Sequence, residues 1–270
     1  MRRNLLTFLC LLFVLPHIVL AADNSVYNRV LQSGVLRCGY VNYEPWFMRE
    51  PNTNKLSGIF YELTELIGKK LLLKVEWTQE TGFGTFVPSY AKNSRFSQPA
   101  FYMPVYAVVR ANDVRFDKDL SRMNVPDVKI VTLDGDIAGM IHDENFPKAK
   151  LSSLQNMTDF TQVMTEVATH KADVTFADLD AVQRFIARNP GTVKIVKTKF
   201  PVRLYPTSLV YRNDSPEFDN MINSALRELI FSGEVQKILQ KYKTDPTSYL
   251  PVSPPTERSK KIRVRSQIGL

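Results

Sequence analysis

The chain has 270 residues, 44% of them hydrophobic, enough for one large domain or two small α/β lobes with real cores, which excludes a disordered or fibrous chain. Its formal charge of +8 rests on Arg2 and Arg3 at the start and on Arg258, Lys260, Lys261, Arg263 and Arg265 near the end; without those seven the body carries only +1. A body so close to neutral gives no basis for a nucleic-acid partner, and attraction of the basic tail to an anionic surface is a minor reading.

In chain order, Arg2 and Arg3 precede an apolar run from Leu5 to Leu15, and a small-residue site at Val19-Leu20-Ala21 follows. Residues 1–22 therefore read as a secretory signal peptide. The run is too short for a bilayer span, and no later stretch reaches the roughly 18 apolar residues a transmembrane helix needs. Cys10 falls inside the signal behind Leu9, which is too bulky for lipoprotein processing, and Cys38 is left alone in an apolar run. No intramolecular disulfide is expected after cleavage, only a buried thiol.

Val35 to Val41 is the first predicted strand, followed by a polar, hairpin-like stretch from Glu50 to Gly58. In IFYELTELIGKKL, Ile59, Leu63, Leu66, Ile67 and Leu71 recur at helical spacing, and Leu73 to Trp77 reads as a second strand. That βαβ order predicts a parallel sheet. Val128–Leu133, Asp173–Ala177 and Val193–Val196 are further strands of a second α/β lobe. Its helices carry Phe160, Val163, Met164 and Val167, then Ala181, Val182, Phe185 and Ile186, the latter stopped by Asn189-Pro190-Gly191. After an extended stretch from Leu204 to Tyr211, two helices parted by Gly233 close the pattern, and the segments 102–110 and 204–211 suit the two crossings of a hinge. Pro251, Pro254 and Pro255 introduce the basic tail, 251–270, read as a disordered extension. There is no internal repeat.

Several short words recur in order over residues 26–250: the turn Tyr43-Glu44-Pro45-Trp46, the helix start SGIFYEL, Phe96-Ser97-Gln98-Pro99 leading into Ala100-Phe101-Tyr102, the stretch from Lys171-Ala172-Asp173 to Asp178, and the closing SGEVQKILQKY. Together they resemble the family 3 extracellular solute-binding proteins, the periplasmic amino-acid-binding components of ABC importers. The resemblance implies a two-lobed periplasmic-binding-protein fold of type II, α/β throughout, with two mostly parallel sheets and a ligand cleft between the lobes. Lobe 1 would comprise 23–106 and 206–250, and lobe 2 would comprise 107–205. It also implies a periplasmic monomer that carries a small-molecule ligand, an amino acid or similar polar solute, to an ABC permease in the inner membrane. No cofactor or metal is implied.

A zwitterion needs donors for its carboxylate, an acceptor for its ammonium and a wall for its side chain. By the resemblance the acceptor falls on Asp178, although an acid just before LDAVQRF also suits a helix cap. Tyr43 and Trp46 fall where the family places an aromatic wall, with core or hinge packing as the plainer role. Glu44 in the same turn suits either a cationic ligand or simple solvation. Backbone N–H groups at a helix start would take the carboxylate at Asp134-Gly135-Asp136, but Asp136 stands where the family has a small hydroxyl residue, and its charge would repel a carboxylate. Either Asp136 points outward as a cap or the ligand is not an ordinary α-amino acid. Arg203 beside the second crossing suits a bidentate carboxylate contact or a structural ion pair.

One departure from the family stands out. The helix-like Phe83–Asn93 and the strand-like Arg95–Tyr102 almost abut, with only Ser94 between them, whereas the family has a further strand and helix there. A parallel crossover takes a dozen residues or more. The missing piece carries the arginine that grips the ligand carboxylate, and Arg95 is only a weak substitute. Lobe 1 is thus read as truncated, with an exposed edge and weakened or altered binding. Two other functions fit the same fold: a periplasmic dehydratase-like enzyme, for which Glu44, Asp178 or His170 would have to serve as acid or base, and a ligand-sensing receptor partner with no transport role. His142 and His170 lack metal-ligand spacing, and Gly82-Phe83-Gly84 lacks the rest of a nucleotide-binding signature.

Overall fold

The computed structural model describes residues 25–80, 94–155 and 158–252. The signal-peptide reading, the Phe83–Asn93 segment and the tail beyond Val252 lie outside the described residues. Helix α1 (Val26–Ser33) starts on a Ser25 cap and stops at Gly34, which takes a left-handed φ of 66°. Strand β1 (Val35–Tyr40) pairs in parallel with β4 (Lys74–Glu80) through α2 (Ile59–Leu71), the βαβ unit read from the periodicity. The polar stretch between them is a small hairpin, β2 (Met48–Arg49) against β3 (Leu56–Ser57). Two glycines fix this packing. A Cβ on Gly58, already at φ 116°, would sit 2.7 Å from the Trp46 carbonyl oxygen, and one on Gly68 would sit 2.5 Å from a Val75 methyl.

Among the described residues strand β5 (Ser94–Phe96) pairs only with β12 (Val210–Arg212), antiparallel. Among the described residues, the first lobe therefore holds three separate two-stranded pieces, β1-β4, β2-β3 and β5-β12, where the sequence predicts a sheet short of one strand.

The other lobe is built on a seven-stranded sheet. Its path runs β10 (Val193–Ile195), β6 (Phe101–Arg110), β9 (Val174–Asp178), β7 (Lys129–Leu133) and β8 (Lys150–Leu154), with β11 (Arg203–Thr207) and β13 (Leu250–Pro251) also on β6. Strand β7 runs parallel to β8 and β9, while β6 is antiparallel to all of its partners. Helices α3 (Ile137–Asn145), α4 (Thr161–Ala168) and α5 (Leu179–Arg188) cover the sheet. Helices α6 (Pro216–Phe231) and α7 (Glu234–Tyr242) return to the first lobe.

The apolar cores follow this division. One gathers Leu36, Trp46, Ile59, Leu63, Phe101, Leu226 and Tyr249; two others, on opposite faces of the large sheet, draw on residues 105–196. Strand β6 passes from Phe101 in the first core to Val105–Val109 in the others, and Met103 touches both. Antiparallel β11 accompanies it, so the two expected crossings are hydrogen-bonded to each other. The C-terminal β13 adds a third strand at the same place, and Pro251, which the sequence assigns to the tail, pairs with Phe101. Within the large sheet, Asp173 accepts from Arg110 at 2.8 Å, from Arg115 at 2.5 Å and from the Lys129 N–H at 2.9 Å, locking the start of β9 to β6 and β7.

Candidate functional site

The site is built at the end of β9, where the strand turns directly into α5. Asp178, 2% exposed, is both the last strand residue and the helix cap: its Oδ1 accepts the Ala181 N–H at 2.9 Å. Its Oδ2 accepts the Tyr43 hydroxyl at 2.6 Å, a bond from the first lobe. Both roles weighed from the sequence thus fall on one carboxylate. Burial pushes the Asp178 carboxyl up from its usual range against the pull of those two donors. The Tyr43 phenol is raised well above its ordinary value, first by burial and then by the Asp178 charge.

Tyr43 is held by a tight turn, in which its carbonyl accepts the Trp46 N–H at 2.7 Å, and its ring lies 4.7 Å from that of Phe160 at the start of α4. Its ring therefore packs against the second lobe. Trp46 lies elsewhere. It is 5% exposed, stacked on Phe101 at 5.6 Å and 7° and edge-on to Tyr249, within the first core. Three residues of a tight turn cannot all face one cleft, and the larger ring takes the apolar side.

Glu44 is partly exposed but already engaged by cations of the protein, where the sequence suggested simple solvation or a cationic ligand. Its two oxygens are taken separately, by Arg184 at 3.0 Å and Arg188 at 2.6 Å, both on α5. Arg184 also donates to the Tyr242 carbonyl at 2.9 Å, and its Nε is buried without an acceptor among the described residues. One turn earlier on α5, fully buried Asp180 accepts the Thr244 N–H at 2.9 Å and the Ser248 hydroxyl at 2.6 Å, so the segment after α7 is tied to the same helix. Between the lobes lies a cleft of about 410 Å³, lined among others by Tyr43, Glu44, Arg49, Phe160, Arg184 and Arg188.

Asp136 occupies the cap position of α3 after Gly135, whose φ of 76° makes the turn. The residue is half-buried, with its carboxyl against the N–H groups of the first turn. Burial pushes it up to about 6, the Ile137 and Ala138 N–H groups oppose this, and the Asp178 charge adds to it. Asp136 thus sits on the helix start that the resemblance reserves for a ligand carboxylate, near enough to Asp178 for the two acids to repel.

The two predicted arginines lie elsewhere. Arg203 shares a register row with Val105 and Asp178, but its side chain pairs with Glu144, eight residues and about 12 Å along α3 from Asp136. Arg95, on β5, donates to Asn213 at 3.1 Å and pairs with Asp219 at 3.4 Å within the first lobe. Arg184 and Arg188 are the residues that sequence reasoning passes over. Their only signal is a pair of cations four apart on the polar edge of α5, which usually marks a solvated face. Cys38 is a half-buried thiol pushed up to about 12, first by burial and then by Glu65, as expected of an inert core cysteine. Among the described residues no group of three or more acids, histidines or cysteines is placed to hold a metal ion.

Comparison with known proteins agrees with the fold. No family model matches the chain. The L-cystine-binding protein TcyA of Bacillus subtilis (strain 168) is 25% identical over 242 residues, covering 82% of this chain and 86% of TcyA. The crystal structure of the ancestral amino acid-binding protein AncCDT-1, a precursor of cyclohexadienyl dehydratase, superposes with a TM-score of 0.68 at 22% identity, over 81% of this chain and 99% of that one. AbpA, an amino acid ABC transporter substrate-binding protein from Streptococcus pneumoniae Canada MDR_19A bound to L-arginine, gives 0.67 at 16% identity, over 80% and 97%.

The chain has the fold of the two-lobed amino-acid-binding proteins. In that fold, with a sheet-centred lobe on each side of paired crossings, a ligand belongs outside the carboxyl ends of the parallel strands, which is where β9 delivers Asp178. Among the described residues no helix is long and apolar enough to cross a membrane.

Proposed function

We propose that the chain is a periplasmic solute-binding protein that clamps an amino acid, or a similar small polar solute, between its lobes and delivers it to an ABC permease. The observation that carries this reading is the meeting of Tyr43, which lines the cleft, with the buried Asp178 of the other lobe. A buried carboxylate at a strand end, engaged by a donor from the opposite lobe, is the arrangement an ammonium ligand would enter by taking the place of the tyrosine hydroxyl. The cleft volume lies within the usual range for small-molecule sites. The core division supports lobes at 23–106 with 206–250 and at 107–205, with β6 and β11 as hinge. The protein acts as a monomer after removal of residues 1–22.

Calorimetric titration of refolded residues 23–270 against the common amino acids and L-cystine tests the reading. Heat of binding from at least one of them at a Kd below about 1 mM is expected, and silence from all of them overturns it.

A further inference from the structure

The piece of lobe 1 that would carry a carboxylate-gripping arginine is short, and Asp136 covers the α3 start. Besides Arg49, which is held by Asn54 and Tyr40, the cleft nevertheless has two cations on one helix. Arg184 and Arg188 are one helical turn apart on α5, and each takes one oxygen of the Glu44 carboxylate. Glu44 comes from the opposite lobe and follows Tyr43 directly. Two consecutive residues of one turn therefore place a hydroxyl donor on Asp178 and a carboxylate on the arginine pair, the same two kinds of group that a zwitterion carries. Arg184 still has a buried Nε with no acceptor among the described residues, an unfilled donor beside the pair. Glu44 retains about a third of its side-chain exposure, so it can swing into water when displaced.

We infer that Arg184 and Arg188 are the carboxylate-binding residues of the cleft, that Asp178 takes the ammonium of the same zwitterionic solute, and that Glu44 is an internal competitor holding the arginines until the solute arrives. The inference rests on the proposed solute-binding reading and assigns its charge recognition to lobe 2. A planar carboxylate on guanidinium forks is the strongest polar contact such a cleft can offer.

Two amino acids and their decarboxylated counterparts test it: L-arginine with agmatine, and L-cystine with cystamine, each titrated calorimetrically into the mature chain. The unaltered protein is expected to bind at least one amino acid about tenfold or more tightly than its amine. Arg184→Gln/Arg188→Gln should bring the pair within about twofold, and Glu44→Gln should widen the ratio by about a further tenfold. Arg188→Gln alone, at a side chain 61% exposed, should reduce the ratio without any loss of fold by circular dichroism. A double variant that folds and keeps the full preference for the amino acid overturns the inference while leaving solute binding intact. If neither the unaltered protein nor Glu44→Gln binds any of the four, or any other common amino acid, at up to about 1 mM, the solute-binding reading fails and the inference with it; an amino acid that binds outside these two pairs is compared with its own decarboxylated amine.

Discussion

At the scale of single residues, the acids of the cleft edge carry a measurable cost. Asp136 is raised from 3.8 to about 6 in the folded chain, so between those values the folded state holds a proton that the unfolded state has lost. Stability therefore falls as pH rises from about 4 to 6 and levels off above, the reverse of a salt-bridged acid. Asp136→Asn keeps an equally good helix cap and removes the buried charge. It should stabilise the protein by about 1–3 kcal/mol at pH 7 and by almost nothing below pH 4, as urea unfolding at a series of pH values would show. A gain that persists unchanged at low pH would mean that Asp136 is not desolvated. Of the eight site residues proposed from the sequence, Asp178 and Tyr43 meet between the lobes and Glu44 lines the cleft, while Gly135 and Asp136 form the adjoining helix start. Trp46, Arg95 and Arg203 were legible as chemistry but not as position. A side chain's partner depends on which neighbouring strand or helix lies within reach, and a single sequence does not state that.

At the scale of elements, α5 does more than its amphipathic pattern announces. Its buried face is the expected Ala181, Val182 and Phe185, yet Asp180 lies on that face too, fully buried, and holds Thr244 and Ser248. Asp180→Ala would strand the buried Ser248 hydroxyl and release the solvent-accessible Thr244 N–H, at a cost of about 2 kcal/mol, whereas Asp180→Asn keeps an acceptor and should cost about 1. Equilibrium denaturation of both variants checks this, and equal losses would mean that the charge and not the hydrogen bonding matters. The α2 boundaries follow from the sequence because Gly58 and a clean apolar stripe mark them. Strand β8 does not, since KLSSL has neither alternation nor β-branched residues and is recruited by pairing with β7.

At the scale of the whole molecule, the two lobes are unequally built. Among the described residues a seven-stranded sheet covered by helices stands against three separate two-stranded pieces, and an isolated strand pair is marginal without the packing of α2. Amides of β1 and β4 should therefore exchange with solvent well before those of β6, β7 and β9, with opening free energies lower by about 2 kcal/mol or more. Equal protection in a native-state exchange experiment would show that the first lobe is as cooperative as the second.

The sequence by itself determined the α/β class, the βαβ start and the acid at the end of β9, because periodicity, turn chemistry and local spacing depend on near neighbours in the chain. Only the tertiary structure decided that Tyr43 reaches Asp178, that Glu44 is held by Arg184 and Arg188, and that the segment after α7 is bound to Asp180. Those contacts join residues more than sixty positions apart. Whether such a charge is solvated, paired or left waiting for a ligand is fixed by the fold that brings the distant partner within three ångströms.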